Sequence, residues 1–107
     1  MSVQSDLEAL GLVSKDYEDL SVTSATVVTL TKATIDLYTN VVIAVDGGDI
    51  RFTRNGTDPT SSYGLVVFNR GTIGPLGQAE ARLAKFLSTS SATVTLHVEY
   101  YLPKDKP

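Results

Sequence analysis

Residues 92–102, ATVTLHVEYYL, alternate apolar and polar side chains almost without a break. Successive strand residues point to opposite faces, so this run can bury Val94, Leu96, Val98 and Tyr100 on one side. Thr93, Thr95, His97, Glu99 and Tyr101 then fall on the other. A helix would scatter those apolar positions around its axis. The rest of the chain follows suit. SATVVTLT (24–31), VVIAVDGG (41–48), DIRFTRN (49–55) and YGLVVF (63–68) are short runs bounded by turn formers. Thr and Ser supply 23 of 107 residues and Val 12, and Thr and Val are β-branched and suit strands. The expected class is all-β: a small β-sandwich or jelly-roll-like barrel. A chain of this length is one domain that buries roughly 65% of its unfolded surface.

The connections carry their own expectations. Asp46-Gly47-Gly48 is a strong turn signal and predicts a hairpin over 41–54. NRGTIGPLGQ (69–78), with three Gly and one Pro, reads as a connection. AEARLAKFLS (79–88) fits both periods. With strands around it, a strand from about Arg82 is expected. Near the start, Ser5 and Glu8 have capping-box spacing, Leu7 and Leu10 follow, and Gly11 can end the turn. Residues 1–24 are therefore expected to be an N-terminal arm or short helix, 25–103 the β-domain and 104–107 a charged tail. The N-terminus lacks the basic and apolar regions of a signal peptide.

Net charge is −3, and residues 1–20 alone carry five acids against Lys15. Neither nucleic acid nor an anionic membrane is an expected partner. No apolar run is long enough to span a bilayer. There is no Cys, which excludes disulfides, thiolate metal sites and a Cys nucleophile. No cofactor is expected, because neither a G-x-x-x-x-G-K-[ST] nor a G-x-G-x-x-G loop is present. No Ser lies in a G-x-S-x-G elbow. His97 is the single histidine and is expected on the solvent face of its strand, with Glu99 as same-face partner. Asp46, Asp49 and Asp58 would supply oxygen ligands if they gathered at one end, but their spacing matches no EF-hand and Asp is common in turns. No catalytic or metal-ligating residue is assigned.

The stretch IRFTRNGTDPTSSYG (50–64) stands apart. Asn55-Gly56 suits a positive-φ turn, Pro59 restricts Asp58, and the hydroxyls can satisfy loop backbone groups. It reads as a rigid corner, one able to cross between sheets and to serve as a contact surface. The order DIRFTRNGTDPTSSYGLVV resembles small all-β proteins encoded among the structural genes of tailed bacteriophages, where a strand–loop–strand of the form IR(F/Y)…DGT.PT…G recurs. Asn55 stands where that pattern has Asp. The resemblance spans residues 41–102 and leaves the first 24 unmatched. It implies a non-enzymatic virion component on the capsid surface, made in the host cytoplasm. Such a decoration, cement or head-accessory protein would bind the major capsid protein or another virion protein, as a homo-oligomer. The residues expected to touch a partner are Leu7, Leu10, Arg51, Arg54, Asp58, Tyr63 and Arg70. The alternative is a carbohydrate-binding module of a tail or fibre, against which the absence of Trp counts.

Overall fold

The computed structural model describes residues 11–30, 40–91 and 93–103. Among the described residues, eight strands and one short helix follow one another: β1 (Leu12–Val22), β2 (Val28–Thr29), β3 (Asn40–Asp46), β4 (Ile50–Thr53), β5 (Leu65–Val67), β6 (Thr72–Leu76), α1 (Gln78–Leu83), β7 (Lys85–Ser88) and β8 (Val94–Pro103). They form two four-stranded antiparallel sheets, ordered β1-β8-β3-β6 and β2-β7-β4-β5. The ladders pair β1 with β8, β2 with β7, β3 with β6 and β4 with β5. Two more, β3 with β8 and β4 with β7, complete each sheet. The chain is thus a long antiparallel ribbon that doubles back at residues 54–64.

Alternation decides which face each strand buries. Val94, Leu96, Val98 and Tyr100 of β8 are all 1% exposed or less. Val41, Ile43 and Val45 of β3 sit beside them, while Val42, Ala44 and Asp46 face away. The second sheet contributes Ile50, Phe52 and Phe86 to the same core. The rings of Phe52 and Phe86 lie 6.1 Å apart and nearly parallel, at 17°. Tyr101 departs from the pattern. Its outward position is nonetheless buried, and its hydroxyl donates to Glu99 Oε1 at 2.9 Å.

Several elements differ from the sequence expectation. The 41–54 hairpin does not form: β3 and β4 lie in different sheets. Asp46-Gly47-Gly48 does reverse the chain, but local turn chemistry does not say which neighbour the next strand will join. The 54–64 loop, read as able to cross between sheets, joins β4 to β5 within one. Residues 69–78 contain β6, since a sheet edge tolerates Pro75 and Gly74 where an interior strand would not. The expected strand at Arg82 begins at Lys85, preceded by α1. Of the expected strand 24–31, only Val28–Thr29 pairs among the described residues. Leu12–Val22, placed by the sequence reading in a separate arm, is an eleven-residue strand paired with β8. Leu7, Leu10 and the charged tail lie outside the described residues.

Antiparallel pairing sends the connections after β1, β3, β5 and β7 to one end of the sheets, here the turn end. There Asn69 accepts from Gly47 N at 2.9 Å and donates its own N–H to Asp49 Oδ1 at 2.8 Å. Thr89 N donates to the Asp49 carbonyl at 3.1 Å, and Ser88 N to that of Thr23 at 3.1 Å. The 54–64 loop and α1 lie at the other end.

Candidate functional site

The 54–64 loop is held by its own side chains. Asn55 Oδ1 accepts from Thr57 N at 3.1 Å, and the Thr53 hydroxyl donates to the Thr57 carbonyl. Thr60 and Tyr63 exchange backbone hydrogen bonds of 3.0 and 3.4 Å. Ser62 N donates to Thr60 Oγ1 at 3.2 Å, and Pro59 is buried. Arg51 reaches under the loop and donates from Nη1 to the Gly64 carbonyl at 2.8 Å. Side-chain turns of this kind satisfy loop backbone groups locally and leave a stiff wall.

That wall borders a groove of about 500 Å³. Phe52 and Leu65, cross-strand neighbours, line it together with Tyr63 and Gly64. Arg54 and Asn55 enter from the loop and Glu80 from α1. Arg54 Nη1 lies 3.3 Å from Glu80 Oε2, and both side chains are about half exposed. A smaller cleft of about 220 Å³ opens beside it, between Phe52, Arg54 and Val67 on one sheet and β6 on the other.

Of the residues expected to contact a partner, the structure brings Arg54 and Tyr63 into this groove. Arg51 supports the loop behind it. Asp58 is committed to Lys85 Nζ at 2.7 Å. Arg70 sits apart, in the β5–β6 turn at the turn end, with φ of 70° and its N–H bonded to the Val45 carbonyl at 2.8 Å. Asp46 and Asp49 share that end, while Asp58 belongs to the loop at the other, so the three do not gather. Among the described residues no group of three or more His, Asp or Glu is placed to hold a metal ion. Glu80 was missed, as nothing in the sequence links it to Arg54, 26 residues earlier.

A second surface follows β5, the outer strand of its sheet. Leu65, Val66 and Phe68 are 51%, 44% and 69% exposed. Natural sheets blunt such edges with charge, Pro, bulges or brevity. The other three edges show these devices. β1 carries Glu18 on its inward face, where it accepts from the Tyr100 hydroxyl at 2.5 Å, and has a bulge between Ser14 and Asp16. β6 contains Pro75, and β2 is two residues long. β5 is also short, yet its side chains are apolar.

His97 faces solvent as expected, but its partners are not Glu99. Nδ1 lies 2.9 Å from Asp19 Oδ1 on β1, and Nε2 lies 3.6 Å from Asp46 Oδ2 on β3. The hydrogen bond to Asp19 is the largest influence and raises the imidazole pKa above its ordinary 6.5; desolvation opposes it, and the charge of Asp19 and the nearby Asp46 carboxylate add to the rise. With Nδ1 on Asp19 and Nε2 facing Asp46, the ring links β8 to both of its neighbours, β1 and β3.

No protein-family model, curated protein or solved structure matches this chain.

Proposed function

We propose that this chain is a non-enzymatic structural protein of a bacteriophage virion, a capsid-decoration protein with a jelly-roll body that docks on the major capsid protein through β5. The ladder pairs support the jelly-roll reading: an eight-strand ribbon paired 1 with 8, 2 with 7, 3 with 6 and 4 with 5, rolled into two sheets. That architecture recurs in viral capsid and lectin domains. A fold hosts many functions, so the role must rest on a surface.

The observation that carries the role is the apolar edge of β5 with Phe68. A strand with a free edge and exposed Leu65, Val66 and Phe68 is an aggregation hazard in an isolated monomer, and a partner that covers it removes the hazard. The strand–loop–strand resemblance to phage structural proteins selects the virion lattice as that partner. A second copy of the chain covering the same edge is the competing occupant.

Co-sedimentation with intact particles of the virus that encodes the chain is the test. Wild-type protein is expected to bind at the copy number of the major shell protein or a simple fraction of it. Phe68→Lys is expected to reduce bound copies at least tenfold, as loss of a central apolar anchor does. A few copies per particle would move the protein to neck or tail. No association, or a Phe68→Lys variant that still saturates particles, would refute the docking surface. Light scattering on the free protein reveals whether a second copy covers β5 instead.

A further inference from the structure

We propose that the groove beside Tyr63 is a saccharide-binding site for a neutral sugar chain. Its lining has two characters. Phe52, Tyr63 and Leu65 form an apolar side, with Tyr63 and Leu65 about half exposed. Arg54, Asn55 and Glu80 supply donors and acceptors on the polar side. A sugar has the matching shape: one face of C–H groups that packs on an aromatic ring, and a rim of hydroxyls that need both donors and acceptors. Arg54 and Glu80 both line the groove as an ion pair and together bring it no net charge. An anionic ligand would meet Glu80 and a cationic one Arg54, and a wholly apolar ligand would bury both charges without new hydrogen bonds. A neutral polyol incurs none of these penalties, because each hydroxyl can donate to the carboxylate or accept from the guanidinium.

The site is preorganised. Its volume of about 500 Å³ is in the usual range for small-ligand sites. Its wall is the self-bonded 54–64 loop, packed so closely that a Cβ on Gly64 would lie 3.0 Å from the Phe52 carbonyl oxygen. A wall already fixed in the bound conformation loses little entropy when a ligand arrives. The groove opens at the 54–64 loop, at the end of β5 away from Phe68, and shares Leu65 with the β5 edge. The inference does not depend on the virion reading.

The test is a printed array of neutral and acidic oligosaccharides, probed with the whole chain and followed by NMR titration with the best neutral hit. Binding to neutral saccharides is expected, with shifts at Asn55 and Tyr63. Tyr63→Ala and Glu80→Gln should each weaken it about tenfold or more while leaving the melting temperature unchanged. Phe68→Lys should leave saccharide binding intact, which separates this site from the docking surface. Silence across the array, preference for acidic saccharides, or binding that survives both groove variants would each overturn the proposal.

Discussion

His97 shows how much a single residue's surroundings change its meaning. On the sequence it is an outward strand residue beside Glu99. In the fold, register places Asp19 directly across from it on β1 and Asp46 diagonally across on β3, the neighbour on the other side. Its pKa is raised on folding, so the protonated ring gains more from the native state than the neutral ring does. That contribution is complete below the ordinary value of 6.5 and is lost as pH rises through the higher folded value. The ring is half exposed, so solvent holds the effect below about 1 kcal/mol. His97→Gln should therefore lower the melting temperature more at about pH 5.5 than at about pH 8.5, and Asp19→Asn should flatten the wild-type pH dependence. Equal loss at both pH values would show that the ring acts by packing alone. The strand was legible from alternation. The partners were not, since Asp19 is 78 residues away and only pairing sets the register.

At the scale of elements, edges and interiors follow different rules. β6 was hidden because Gly and Pro look like turn residues. At an edge, Pro forfeits no ladder bond and Gly admits an irregular step. Gly74 illustrates the second point. Its φ is 111°, it lies where the β3–β6 register shifts, and a Cβ there would sit 2.5 Å from the Val41 carbonyl oxygen. Gly74→Ala should cost about 1–3 kcal/mol in a urea melt. A change within about 0.5 kcal/mol would mean that β6 can shift away and is not held against β3. The 54–64 loop is a corner bonded to itself, as its composition suggests, and it stays within one sheet. Its Asx turn and buried Pro59 are local features that composition announces, whereas the sheet its second strand joins is a tertiary matter. The groove beside it was half visible: Arg54 and Tyr63 belong to the loop itself, but Glu80 arrives on α1.

For the whole molecule, one core serves both sheets. Phe86 is fully buried and stacked on Phe52, in a cluster that includes Val41, Ile43, Leu96 and Val98 of the other sheet. Phe86→Ala should destabilise by about 3–5 kcal/mol, a large share of the ~5–15 kcal/mol typical of a domain. Fluorescence and far-UV circular dichroism should still lose structure in one coincident transition. Two separated transitions would mean that the sheets unfold independently and that the shared core is not the unit of stability. The radius of gyration, 13.4 Å, is that expected of a chain this size folded as one body.

By itself the amino-acid order determined what depends on near neighbours: strand-forming composition, the faces of β8, the sites of chain reversal and the local turn bonds of the 54–64 loop. These follow from side-chain alternation, β-branching and turn chemistry, all acting over a few residues. The tertiary structure alone decided which strands pair, that β3 and β4 part into different sheets, that β1 closes one of them, and that Glu80 and His97 meet their partners. Those choices turn on how the entire ribbon buries both apolar faces at once, and no short window of sequence contains that sum.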